Sequence, residues 1–212
     1  MATRSEQIFS NETHDIYEVY YGDDRIRTTV TADPATVSEW IRQIEWVHRR
    51  RLNQLVIGLD IEWRPIRQRN QHNPVAVLQL CVGRRCLIFQ ILHAPAVPHS
   101  LLAFLARPHY TFVGVGIEED IEKLEEDHSV RVARWEDLGV LADQCLGFCD
   151  GRLWRVGLRN LAEQVLGREV LKPRQITLSR WDSEWLSAKQ IEYACVDAFV
   201  SFEMGRHLKS NF

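Results

Sequence analysis

The stretch Val56-Ile57-Gly58-Leu59-Asp60-Ile61-Glu62-Trp63, VIGLDIEW, decides how the rest of the chain is read. Its first four residues have the apolar character of an inner strand, and then two carboxylates follow two positions apart. On a strand, residues i and i+2 project from one face, so Asp60 and Glu62 point together while Ile61 faces the other side. Like charges side by side are unfavourable unless something cationic lies between them, and a divalent metal is the economical answer. The alternative is a strand that emerges into water at Gly58 with both carboxylates simply hydrated.

Working outward, the polar loop RPIRQRNQHNP separates this strand from PVAVLQLCV, and Gly83-Arg84-Arg85 turns the chain into CLIFQI. These three strands predict a meander. Upstream, Asp33 is a predicted N-cap with Pro34 at the first helical position, and Val37, Trp40, Ile41, Ile44 and Val47 fall at helical spacing. Before it, IYEVYYGDDRIRTTVTA predicts a hairpin, and residues 1–14, polar and aperiodic, predict a flexible tail. Downstream come a short helix near His99 to Ala106, the strand YTFVGVG, a helix from Glu118 to about Asp127, a short strand from Val130 to Ala133, and mainly helices after Gly139. This order implies an α/β fold with a mixed sheet flanked by helices, in a single domain over residues 15–212.

With 212 residues, 45% of them hydrophobic and 26% charged, the chain has the material of a soluble globular domain with a sizeable core. Its formal net charge of -3 argues against coating nucleic acid by overall charge, although its basic residues are grouped and leave room for a local track. Five cysteines without a C-x-x-C pair suggest neither a disulfide framework nor a zinc knuckle, and fit a reducing compartment. The first residues hold no apolar leader core and no apolar run reaches membrane-spanning length, so the expectation is an intracellular, soluble protein without membrane contact.

Further carboxylates lie in the second half. In FVGVGIEED a strand runs through glycines into a helix and leaves Asp120 in the first turn, a position that the helix dipole alone would also favour. In the terminal helix, Tyr193 and Asp197 stand four residues apart and therefore share a face. Ala194, Val196, Ala198 and Phe199 surround Asp197 with apolar neighbours, so it needs a metal or an ion-pair partner such as an arginine.

Together LDIEW, GVGIEEDIEKL and IEYACVDA resemble the three motifs of the DEDD superfamily of 3′-5′ exonucleases, in its DEDDy branch. VGLRNLAEQVLGREVLKP, LSRWDSEWLSAKQIEYACVDAF and PVAVLQLCVG resemble the Werner syndrome-like group within it, of the plant stand-alone type. The resemblance implies a ribonuclease H-like fold and two-metal phosphodiester hydrolysis from the 3′ end of DNA, at recessed or structured duplex ends, in repair, recombination or replication. Two Mg²⁺ or Mn²⁺ ions would be held by Asp60, Glu62, Asp120 and Asp197, with Asp60 bridging and Asp120 acting through water, while Tyr193 orients the attacking water. It implies an intracellular location, nuclear or cytoplasmic, and a separate helicase as partner.

For nucleic-acid contacts the candidates are Trp63, which also suits a core position, and Arg64, Arg67 and Arg69 in the adjoining loop. Arg152, Arg155, Arg159, Lys172, Arg174 and Arg180 form a second candidate track. Two further functions stay open: a ribonuclease D-like exoribonuclease, since that group shares all three motifs, and a binding module without catalysis. Both a monomer and a ring oligomer are compatible with the pattern.

Overall fold

A computed structural model describes residues 3–65, 71–147 and 151–210. Strands β1 (Thr3–Ser10), β2 (His14–Tyr21) and β3 (Asp24–Thr31) form an antiparallel meander. Gly22, at φ 59°, supplies the left-handed residue that the tight turn between β2 and β3 requires. Most of the segment expected to be a flexible tail is therefore an edge strand. Nearly all its side chains are exposed and a bulge between Gln7 and Phe9 shifts its register, so no apolar alternation marks it in the sequence. Its backbone ladder with β2 holds it, together with Ser5, whose hydroxyl donates to Glu192 at 3.0 Å.

Helix α1 (Pro34–Val47) begins as its cap predicts: the Asp33 carboxylate accepts from the Thr36 N–H at 2.8 Å. Strands β4 (Val56–Trp63), β5 (Val75–Val82) and β6 (Arg85–Phe89) make the expected antiparallel meander. They are followed by α2 (His99–Leu105), β7 (Thr111–Gly114), α3 (Ile117–His128), β8 (Trp135–Asp137), α4 (Leu138–Leu146), α5 (Leu158–Leu166), α6 (Arg174–Thr177) and α7 (Ala188–Lys209). The strand expected at Val130 to Ala133 begins later. Val130 is buried and donates its N–H to Leu124 at the end of α3, and Ala133 donates to Leu105, so pairing with β7 starts only at Trp135.

All strands join one sheet in the order β1-β2-β3-β6-β5-β4-β7-β8. The pairs β3–β6, β4–β7 and β7–β8 are parallel and the rest antiparallel, which makes the sheet mixed. Helices cover both faces. On one face α2 sets Phe104 edge-on to Phe112 of β7, with Trp40 of α1 edge-on to Phe104. On the other, α7 runs across the sheet over β4 and β5, its middle turns buried all round, with α4 and α5 packed against it. Among the described residues no helix is long and apolar enough to cross a membrane.

Candidate active site

Strand β4 presents Gly58, Asp60 and Glu62 on the face that meets α7, by the period of two. Gly58 lets the helix come close: a Cβ there would lie 2.0 Å from the Ala198 carbonyl oxygen and 2.6 Å from the Phe202 nitrogen. This seat brings Asp197, the residue before Ala198, to the end of the strand where Asp60 and Glu62 project.

Helix α7 starts at a capping box between Ser187 and Gln190, which satisfies two of its free N–H groups. Tyr193 and Asp197 lie one turn apart along it, 6% and 1% exposed. Trp181, fully buried, packs its ring 5.9 Å from that of Tyr193 and holds the phenol from behind. Asp120 enters from the first turn of α3, after Gly116 has taken a left-handed φ of 70° as N-cap. The Gly116 N–H is tied at 2.7 Å to Asp137, which also caps α4.

Electrostatics show how closely these groups crowd. Burial, followed by the charge of Asp197, pushes Asp60 up to about 7. Glu62 is raised by burial, then by Asp60 and Asp197. Asp120 is pushed up to about 8 by burial, then by Asp60 and Glu119. Burial also raises Asp197, against the opposing pull of Lys172. Tyr193 is raised by burial and then by Asp197, Glu62 and Asp60, so its hydroxyl keeps its proton at neutral pH. Such mutual repulsion in a buried place is what a bound cation relieves.

The donors are hard oxygens, which suit Mg²⁺ or Mn²⁺. Neither oxygen of Asp197 receives a well-directed hydrogen bond, although both are buried. In chemistry the residues therefore fit a divalent ion. Their arrangement is another matter: among the described residues no group of three converges as the ligands of one ion would. The nearest cation to Asp197 is the Lys172 ammonium, 2.8 Å from Oδ2.

Lys172 is the site residue that the sequence reading placed elsewhere, among candidates for a phosphate track. It sits in the irregular segment between α5 and α6 and is aimed inward by its neighbours. Val170 is buried, the Tyr21 hydroxyl donates to the Glu169 carbonyl at 2.9 Å, and Arg168 pairs with Asp24 at 2.6 Å. Gln79 was missed altogether. It stands directly opposite Asp60 across the β4–β5 ladder, fully buried, with neither end of its carboxamide partnered. Opposite residues in a ladder bring their Cβ atoms to about 4.5–5.5 Å, so this carboxamide lies beside the Asp60 side chain. Its position inside the apolar run PVAVLQLCV was the available signal.

The expected nucleic-acid contacts divide. Trp63 is half-buried against the core edge with Lys123 5.2 Å above its ring. Arg64 is engaged with Asp182 at 3.1 Å. Arg67 and Arg69 lie outside the described residues. Of the second track, Arg155 stacks on Trp154 at 4.8 Å and Arg180 pairs with Asp182 at 3.4 Å.

A mixed sheet whose central strand ends in two carboxylates, beneath a helix carrying a tyrosine and a third, is a ribonuclease H-like fold. Among solved structures, Escherichia coli RNase D superposes with a TM-score of 0.68 at 20% identity, covering 86% of this chain and 44% of that one. A profile of the 3′-5′ exonuclease family matches residues 29–212, and the chain belongs to that family. It is 37% identical over 155 residues to a 3′-5′ exonuclease of Arabidopsis thaliana, covering 72% of this chain and 52% of the relative. It is 34% identical over 146 residues to the mouse bifunctional 3′-5′ exonuclease/ATP-dependent helicase WRN, covering 68% of this chain and 10% of the relative. The chain thus spans about half the length of the plant relative and a tenth of the mouse one.

Proposed function

We propose that this chain hydrolyses DNA from its 3′ end, at recessed or structured duplex ends, with two Mg²⁺ or Mn²⁺ ions. The observation that carries the reading is the seat of α7 on Gly58, which brings Tyr193 and Asp197 to the end of β4 where Asp60 and Glu62 project. Bound to these carboxylates, the ions would polarise the phosphodiester and activate water.

The residues divide the work. Asp60, Glu62, Asp120 and Asp197 would hold the ions, Asp60 as the shared ligand and Asp120 through water. Tyr193 acts as a hydrogen-bond donor and positioner of water, because a phenol held protonated is a poor base. Glu62 accepts from the terminal 3′-hydroxyl, which confines cleavage to that end. Water attacks phosphorus, the bond to the 3′ oxygen of the preceding nucleotide breaks, and a nucleoside 5′-monophosphate leaves. Arg64 joins the substrate by exchanging Asp182 for a phosphate, and Trp63 meets the terminal nucleotide. Readout is largely independent of sequence, because backbone contacts carry little base information.

The mouse relative's name joins an exonuclease to a helicase, which supports a helicase as working partner here. A second reading is RNA trimming, favoured by the likeness in fold to RNase D, an exoribonuclease involved in structured RNA processing. The deciding experiment is time-resolved digestion of matched 5′-labelled recessed DNA and RNA strands with Mg²⁺ or Mn²⁺, beside EDTA and Asp60→Ala controls. A ladder shortening from the 3′ end of DNA, absent in both controls, is expected. Faster loss of RNA at equal ends would overturn the DNA assignment.

A further inference from the structure

The carboxylate cluster has a cation of its own. Lys172 Nζ lies 2.8 Å from Asp197 Oδ2 and 5.5 Å from the centre of the Tyr193 ring. Asp60 and Glu62 also act on it, after Asp197. Among the described residues no three acidic groups close into a ligand set. A metal at Asp197 and an ammonium 2.8 Å from the same carboxylate compete for one pair of oxygens.

The backbone around Lys172 allows exchange. Lys172 belongs to neither a helix nor a strand, and Leu171 before it is 49% exposed. Its side chain is 33% exposed, so the stem has an open path along which the ammonium can withdraw. The segment is anchored behind it, at Arg168, Glu169 and Val170, so the side chain can swing while its backbone stays.

We infer that Lys172 is an exchangeable counter-ion: it neutralises the carboxylates while the site is free of metal and leaves when a divalent ion enters. The inference rests on the metal reading given above. It has two opposite consequences. Without metal, removing the ammonium leaves buried carboxylates uncompensated and destabilises the fold. With metal, removing it abolishes a competitor and tightens binding.

The test compares wild type, Lys172→Met, Lys172→Arg and Asp197→Asn by calorimetric titration with Mn²⁺ alone and by thermal melting in EDTA and in saturating Mn²⁺. Lys172→Met should bind Mn²⁺ at least about tenfold more tightly than wild type. Its melting point in EDTA should fall below wild type, and its rise on adding Mn²⁺ should be the larger of the two. Lys172→Arg, which keeps the charge, should stay close to wild type. If Lys172→Met folds only with Mn²⁺ present, the inference also stands. Equal or weaker Mn²⁺ binding by Lys172→Met, with wild-type binding intact and lost in Asp197→Asn, would overturn the counter-ion role alone. Absence of Mn²⁺ binding by wild type would overturn the metal reading itself, and this inference with it.

Discussion

Replacing Gly58 with alanine tests whether the seat of α7 on β4 sets the geometry of the site. The new Cβ would meet the Ala198 carbonyl oxygen at 2.0 Å, the Phe202 nitrogen at 2.6 Å and the Phe202 Cβ at 3.0 Å. Two of these are backbone atoms of the helix, which cannot rotate aside as a flexible side chain does. Ordinary contact begins at 3.4 Å, so strand and helix must part by roughly 1.4 Å at this point, the gap between 2.0 and 3.4 Å. The strand carries Asp60 and Glu62, the helix carries Tyr193 and Asp197, and Ala198 adjoins Asp197. Over-packing of this kind costs about 1–3 kcal/mol, and at this chain length each kcal/mol lowers Tm by about 2–4 °C. A displacement of about 1 Å between reacting groups costs about 10²-fold in rate. The assay is single-turnover release of nucleotides from a labelled recessed duplex in Mn²⁺, paired with thermal melting. Gly205→Ala is the control. Its Cβ would meet the Val113 methyls at 2.7 and 3.2 Å, two turns further along α7, where a side chain can yield. It should lower Tm while leaving the rate within a few-fold. Gly58→Ala protein with a wild-type Tm and a rate within threefold of wild type would refute the reasoning.

Asp60→Asn should abolish digestion while raising the Tm of the metal-free protein by a few degrees, because it removes one of several like charges held together by the fold; a lower Tm in EDTA would show that the crowding is not costly. Tyr193→Phe should lower the single-turnover rate by about 10²-fold with Mn²⁺ binding unchanged by calorimetry, since the hydroxyl is assigned to water and not to metal. Asp24 is raised by burial, but the hydrogen bonds and charges of Arg84 and Arg168 outweigh that and hold it below its usual 3.8. Its contribution is therefore complete above the unfolded value and lost as pH falls through the lower folded value. Asp24→Asn should cost about 1–3 kcal/mol at pH 7, and the difference in urea midpoint from wild type should shrink as the pH falls from 3.8 through the lower folded value. A difference that persists there would exclude the ion pairs as its source.

How legible the molecule was depended on whether a residue's role showed as a period. VIGLDIEW, PVAVLQLCV and CLIFQI were readable because buried strands have to be apolar. Asp33-Pro34 was readable because a helix start has its own chemistry. The burial of Asp197 was readable because an acid among apolar neighbours is costly without a partner. β1 was not, since an edge strand held by its backbone leaves no side-chain rhythm. Neither was the contact of Lys172 with Asp197: a lysine in an irregular segment looks like any solvated charge, and the packing of Val170 and Arg168 behind it does not show as a period. The start of β8 was misplaced because Val130 is buried by contact with a helix end rather than by pairing, and apolar character does not distinguish the two.

The crossing of α7 over β4 also fixes an order of events when the chain folds. The strand lies in the first third of the sequence and the helix in the last part, and their meeting closes the long loop between Trp63 and Ala188. Contacts of such long range come late, after the local meanders have formed. During refolding the sheet can gather its strands while Asp60 and Glu62 still face water alone. The ability to degrade a polynucleotide should then be the last property to return, appearing with the burial of Trp181 behind Tyr193 and not with the first β-sheet signal.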